Sequence, residues 1–310
     1  MTVLILTCPE DVTADMVVSE LNDQGVPVVR LDPADLPGGV TLSAEYVKGD
    51  FDGHLSFGGR VLSMSALRSI WVRRPGTPAA HSADQSEWLT AESAQALYGT
   101  LYSTTARWMN HPVAAAQARY KPWQLRVAHA SGFAVPPTLI TTYPKIAREF
   151  AAEHRDLVVK PVSGMHPADP PMALPTTRIG PGADFTGVAA APTLLQRWVP
   201  KRADIRLTCV GDEMLAARKT SGPQQVDIRF DDGGGAWVPE EIPARIARAV
   251  QSYMYATRLA YGAFDFAEDA DGTWWFLECN QGGQFGFIQL ETGQRIAEAV
   301  AAWLASPAPN

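Results

Sequence analysis

The 310-residue chain has little cysteine: Cys8, Cys209 and Cys279 are odd in number, far apart and without metal-ligand spacing. That excludes a disulfide framework and a structural zinc site, and points to a reducing compartment, the cytoplasm. Although 46% of residues are hydrophobic, no continuous apolar run is long enough to span a bilayer. The opening run, residues 3–7, is only strand-sized, has no basic flank and meets Cys8-Pro9-Glu10-Asp11, so it does not read as a signal peptide. Positive charge is in deficit, 26 Lys and Arg against 33 Asp and Glu, which argues against nucleic acid as a partner. The turn after the first apolar run contains no glycine, where a dinucleotide pyrophosphate needs close backbone approach, and this argues against a nicotinamide or flavin site. There is no Walker loop, no Ser-His-Asp set and no internal repeat.

What is present reads as alternating α and β elements. Residues 3–7, a helix around 16–21 stopped by Gly25, and residues 26–31 form a β-α-β opening. Residues 41–46, 54–57 and 59–62 suggest a meander with a Gly-Gly turn. The strand at 70–72 ends in Arg73-Arg74-Pro75. Two arginines at the carboxyl end of an α/β strand lie where ligands bind, with solvated surface charge as the competing reading. Residues 85–108 predict one long helix striped by Trp88, Leu97, Leu101 and Trp108, followed by a connector over 112–120. Lys121-Pro122 opens the next helix, Gly132 stops it, and a lysine at that positive helix end suits a phosphate. Strands follow at 133–141 and 157–161. Lys160, inside the second, must snorkel out or meet an anion, and the anion is the better reading. Residues 163–182, rich in Pro and Gly, predict a cover. Residues 194–200 run as a strand into a turn, and 204–208 and 214–219 flank a Gly211-Asp212 turn. Arg206, Arg218 and Lys219 give this sheet a cationic side, and an amphipathic helix spans 240–258.

Residues 262–267 and 273–280 flank a polar turn ending in Asp271-Gly272 and predict a β-hairpin. Glu278 and Asn280, two apart, share a face that Cys279 does not. Symmetric closure about Ala270-Asp271 places Asp265 on that face too, diagonal to Glu278. Two carboxylates and an amide oxygen suit Mg2+, which takes few protein ligands beside phosphate and water. The competing reading is the polar face of an edge hairpin.

In this order and spacing, Lys160, residues 196–199, Asp204-x-Arg206, Asp227-x-Arg229, Asp265 and Glu278-x-Asn280 resemble the ATP-grasp fold, and the RimK-type glutamate ligases in particular. The resemblance implies an α/β (α+β) chain in three parts. These are a Rossmann-like pre-ATP-grasp domain (1–112), a central subdomain (113–195) and a C-terminal subdomain with the metal site (196–310). It implies ATP and Mg2+ as cofactors, held by the following residues. Lys160 and Lys121 would meet phosphate, the Gln196, Arg197, Trp198 and Val199 backbone would meet adenine, Asp204 the nucleotide, and Arg229 a phosphate. Asp265, Glu278 and Asn280 would hold the metal, while Arg206, Arg218 and Arg229 would stabilise an acyl phosphate and its oxyanion. Phe230-Asp231 departs from the RimK pattern after that last arginine.

A narrower set is similar to the ATP-grasp ribosomal peptide maturases, the graspetide or microviridin-type macrocyclases. It comprises Trp71-Val72-Arg73-Arg74-Pro75, Asn110-x-Pro112, Lys121-x3-Leu125, Pro136-Pro137-Thr138, Gly283-Gln284-Phe285 and Leu290-Glu291-Thr292-Gly293. Asn280-Gln281 stands where that family has Asn-Pro. The resemblance implies a ribosomal precursor peptide with a leader segment as partner, bound near residues 172–179. Its Asp or Glu side chain would be joined to a Ser or Thr hydroxyl or a Lys amine. Arg73, Arg74 and Gln284 would contact that peptide, with one of the two arginines facing the cleft and the other bracing the domain. A homodimer is compatible with this reading, and neither membrane nor nucleic acid enters it. Two alternatives stay open: a RimK-like ligase for a small molecule or protein terminus, and an ATP-binding regulatory module without turnover.

Overall fold

The computed structural model describes residues 1–47, 49–78, 86–163, 165–166, 172–180, 182–222, 224–226 and 235–307. Strand β1 (Thr2–Leu6), helix α1 (Val12–Asp23) and strand β2 (Val28–Leu31) form the expected β-α-β unit. Asp11 caps the helix by accepting from the Ala14 N–H, and Gly25, at φ +68°, turns the chain back toward the sheet. Strands β3 (Val40–Val47), β4 (Asp50–Phe57) and β5 (Arg60–Ser63) make the antiparallel meander. Next come β6 (Leu67–Val72), helix α2 (Ser86–Tyr102) and β7 (Arg107–Met109). The four-stranded parallel sheet runs β2-β1-β6-β7. The long helix expected to reach Trp108 is therefore cut short. Ser103 and Thr104 turn their hydroxyls back onto the Gly99 and Leu101 carbonyls, ending α2, and Trp108 joins the sheet.

The connector expected over 112–120 is a helix, α3 (Pro112–Ala118), with proline in its first turn and the His111 side chain accepting from the Val113 N–H. Its alanine-rich sequence favours that state. Helix α4 (Lys121–Ala130) follows. A four-stranded antiparallel sheet in the order β12-β9-β13-β8 comes next. It is made of β8 (Thr138–Thr141), β9 (Leu157–Lys160), β12 (Thr177–Ile179) and β13 (Thr193–Arg197), with helix α5 (Pro144–His154) against one face. A small pair, β10 (Met165–His166) and β11 (Met172–Ala173), lies between β9 and β12 in sequence. The strand expected from residue 133 begins only at Thr138, and Ala134 makes an isolated bridge to Trp275.

The last third carries a five-stranded antiparallel sheet, β16-β15-β14-β17-β18. Its members are β14 (Lys201–Val210), β15 (Glu213–Thr220), β16 (Val238–Glu240), β17 (Tyr261–Asp269) and β18 (Trp274–Asn280). Helices α6 (Ala244–Thr257), α7 (Gly286–Thr292) and α8 (Ile296–Ala305) complete it. Alternation decides what each face does. Ile205, Leu207, Phe264, Phe266 and Phe276 point into a core shared with α4 and α6, and the intervening residues face a cleft. A second core joins β1, β6 and α1 of the first third to Tyr261, Phe285 and α8 of the last. The central sheet has its own smaller core against α5. Among the described residues, no helix is long and apolar enough to cross a membrane.

Candidate active site

The hairpin of β17 and β18 places Asp265 directly opposite Glu278, closer than the diagonal that symmetric closure predicts. The cause is a bulge. The pairing passes from Phe266–Phe276 to Asp265–Glu278, leaving Leu277 as an extra residue on β18. One added residue reverses the side-chain alternation. Phe276 and Cys279, three apart, both enter the core, while Glu278 and Asn280 turn to the cleft. Without the bulge Glu278 would follow Phe276 into the apolar interior.

The two carboxylates hold cations. Arg206, on β14 opposite Asp265, grips it with Nη1 at 2.6 and 2.8 Å from the two oxygens, and its Nη2 donates to the Gln284 carbonyl at 2.9 Å. Lys121 Nζ donates to Glu278 Oε2 at 2.6 Å. Asn280 Nδ2 donates to Asp265 Oδ2 at 3.3 Å and to Glu278 Oε1 at 3.1 Å. Burial alone would raise Glu278, but Lys121 and Lys160 hold its carboxyl down to about 2. Burial raises Asp265 above the usual carboxylate range, against the pull of Arg206. Among the described residues no cluster of three or more His, Cys, Asp or Glu is found. The donor set is two facing carboxylates and one amide, whose oxygen reaches the same point when the amide turns over. With positive charge already drawn to that point, these residues fit Mg2+.

A cleft of about 790 Å³ opens in front of this face. Although the whole chain is acidic, eight Lys and Arg side chains line it against the carboxylates of Asp204, Asp265 and Glu278, a balance that suits a polyanion. Lys160, at the end of β9, donates to Gln196 Oε1 at 2.9 Å, and Gln196 donates on to Thr138 Oγ1 at 2.8 Å. Burial lowers the Lys160 ammonium to about 8, Glu278 opposing the shift. Residues 196–199 leave β13 along the cleft wall. There the Arg197 N–H donates to the Pro137 carbonyl and the Trp198 N–H to the Asp156 carbonyl, both at 2.9 Å. Asp204 lies on the same wall, its carboxylate taken by Lys201 at 2.7 Å and by the Ser221 hydroxyl.

Not every expected residue arrives. Arg218 and Lys219 are adjacent on β15 and point to opposite faces, so only Lys219 lines the cleft. Arg218 pairs instead with Glu268, Nε to Oε2 at 3.0 Å, on the side carrying Ile205 and Phe266. The cationic side read from Arg206, Arg218 and Lys219 is thus corrected by strand parity. Asp227-Ile228-Arg229 and Phe230-Asp231 lie outside the described residues, as do residues 164, 167–171 and 181 of the expected cover. Arg119 and Lys201 line the cleft without having been expected there. Arg119 was hidden by reading α3 as a connector, and its position at the end of that helix was the available signal.

The arginine pair divides its work. Arg73 is buried; its Nη1 donates to the Gly282 carbonyl, and its Nε lies 3.5 Å from Asp11 Oδ2. Burial lowers its pKa, although Asp11 opposes this. Arg74 lines the cleft, and with the Gln284 amide oxygen turned toward it, its Nη1 and Nη2 lie 2.9 and 3.2 Å away. Asn110 fastens the same region. It donates to the Tyr261 and Gln281 carbonyls at 2.8 and 2.9 Å and accepts from the Ala260 and Tyr261 N–H groups at 2.6 and 2.8 Å.

Comparison with known proteins places this geometry among relatives. Residues 2–116 match the model of the MvdD pre-ATP grasp domain. A RiPP-associated ATP-grasp ligase of Chryseobacterium gregarium, solved with ADP and a leader and core peptide, superposes with a TM-score of 0.87 at 23% identity. The match covers 99% of this chain and 97% of that one, and at this identity it shows the fold. The macrocyclase MdnC of Microcystis aeruginosa MRC, bound with the precursor peptide MdnA, superposes with a TM-score of 0.86 at 26% identity, over 99% of this chain and all of that one (100%). Glutathione synthetase of Pseudomonas aeruginosa is 25% identical over 212 residues, 60% of this chain, and the match spans 63% of that relative's length.

Proposed function

We propose that this chain, an ATP-grasp protein of the ribosomal peptide maturase type, activates an Asp or Glu side chain of a precursor peptide with ATP and closes it onto a Ser or Thr hydroxyl or a Lys amine. The observation that carries the reading is the layout of the cleft. A cationic, polyanion-sized space leads to Arg206, Asp265 and Glu278, and continues past them to Arg74 and Gln284, which a nucleotide alone does not need.

Lys160 and Lys121 would bind the phosphates, and residues 196–199 would present backbone to the base. Asp265, Glu278 and Asn280 would hold Mg2+, which when bound neutralises phosphate charge. A substrate carboxylate attacks the γ-phosphorus and ADP leaves. A hydroxyl or amine then attacks the acyl carbon, and phosphate leaves as the acceptor loses its proton. Arg206 is placed to stabilise the charge that builds on the acyl oxygen, and Arg74, with a planar two-point grip, to hold the incoming carboxylate. Lys219 and Arg119 take the cationic role expected of Arg218. The scattered cysteines favour a cytoplasmic setting.

The test is to incubate the chain with ATP, Mg2+ and a short synthetic Thr- and Glu-rich peptide. One water lost per ring, matched by one ADP, is the expected result. The similarity to glutathione synthetase supports a second reading, a ligase of small carboxylates and amines. ADP release with free amino acids, and none with peptide, would select it.

A further inference from the structure

The cleft is cationic along most of its length, but one stretch of its wall is apolar. Trp237, just before β16, and Phe287, on α7, line it with their rings 6.1 Å apart, edge toward face. Phe287 also lies 6.0 Å from the Arg206 guanidinium. One helical step further, Leu290 shares the Phe287 side of α7. It is 78% exposed, and Phe287 itself is 41% exposed. The wall is fixed in place. Glu291, on the same helix, accepts from the Trp237 N–H at 3.0 Å, and Gln294 donates to the Ala216 carbonyl at 2.9 Å. Two large apolar side chains are thus held toward solvent on a helix pinned to the sheet.

Position decides the occupant. From its start at Lys201, just past the hinge, β14 carries the chain about 17 Å to Arg206 at the rise of an extended strand. The wall therefore begins at the end of the cleft away from the base, beside the arginine that faces the reacting carboxylate. A carboxylate on a peptide brings its neighbours along, and the 6.0 Å from Arg206 to the Phe287 ring is close to two extended residues, about 6.6 Å. We infer that Phe287, Leu290 and Trp237 form a subsite for an apolar side chain of the peptide, one or two residues from the Asp or Glu being activated. The inference rests on the peptide-ligase reading and adds a selection rule to it. The cations accept any carboxylate, and the apolar wall selects which one along the peptide is activated.

The test uses the full chain with ATP, Mg2+ and a pool of short synthetic peptides. Each peptide carries one Glu, one Thr and one varied position, Leu, Phe, Ser or Asp, next to the Glu or two residues from it. Mass spectrometry is expected to find dehydrated product enriched in Leu and Phe at one of those positions. Leu290→Ser, a change at an exposed site, is expected to reduce that enrichment about tenfold, the worth of an apolar contact in a specificity pocket. Leu290→Met is expected to retain it. Product without apolar preference, or a Leu290→Ser variant that loses all products equally, would overturn the inference and leave the ligase reading intact. A pool that neither loses water nor releases ADP would overturn the peptide-ligase reading, and this inference with it.

Discussion

Lys160 keeps its proton inside an apolar strand with Gln196 as hydrogen-bond partner, and burial brings it from an ordinary 10.5 to about 8. ATP affinity is therefore expected to weaken as pH rises from 7 to 9, by about tenfold, the worth of a charge-assisted contact. Calorimetry at both pH values checks this, and Lys160→Arg should flatten the profile. Stability moves the other way. Between pH 8 and 10.5 the unfolded chain binds a proton that the folded chain has released, so the Lys160 contribution favours folding more as pH rises through that window. Glu278 gives a slope of the same sign in acid: its carboxyl, held down to about 2, adds stability that is fully present above the ordinary 4.5 and is lost as pH falls from there toward 2. Glu278→Gln keeps the size and removes the charge that meets Lys121 and that would meet Mg2+. ADP release is expected to drop on the order of a hundredfold or more while the circular dichroism spectrum stays unchanged. Arg74→Lys is expected to leave ATP affinity intact and slow ring closure about tenfold or more, because lysine cannot reproduce a planar two-point grip. Arg73→Lys should instead lower the unfolding midpoint, since Arg73 serves the Gly282 carbonyl and Asp11.

A single inserted residue makes the hairpin a site. Deleting Leu277 would restore simple alternation and drive Glu278 toward Phe276 and the core, where an unpaired charge costs several kcal/mol. The deletion is expected to lower the denaturation midpoint and abolish chelator-sensitive ATP turnover, whereas Leu277→Ala, which keeps the residue count, should retain both. This bulge also marks the limit of what the sequence could tell. The parity of Glu278, Cys279 and Asn280 was legible because two-residue periodicity is local. The direct pairing of Asp265 with Glu278 was not, because a bulge depends on both strands. The same holds elsewhere. Lys121 and Gly132 announced α4 through capping chemistry, yet Trp108 looked helical because its place depends on docking beside β6. Arg218 was credited to the cleft from composition alone, and strand parity sends it to Glu268.

At the scale of the whole chain, ligand and fold are linked. At a hundred times its Kd, ADP with Mg2+ is expected to stabilise the folded state by about 2.7 kcal/mol. That should raise the melting temperature by several degrees. Chelator should shrink the rise, because Asp265 and Glu278 would then face the phosphates without a metal between them. Thermal scans with ADP alone, and with ADP and magnesium, check this. The hydrophobic cores also divide the molecule unevenly. One packs β1 and β6 against Tyr261 and α8, and another packs α4 against the last sheet, so Lys121, Arg74 and the hairpin share one body. The central sheet and α5 keep a separate core, and that body carries Lys160. Arg73 and Asn110 bolt the first body together across the hairpin ends. The molecule is built like a bench vice, with Asp265, Glu278 and Arg74 on one jaw and Lys160 on the other. Closing the jaws on a nucleotide would leave Asp265, Glu278 and Arg74 in register with one another, and a chimera that exchanges the first third must carry its bolts with it.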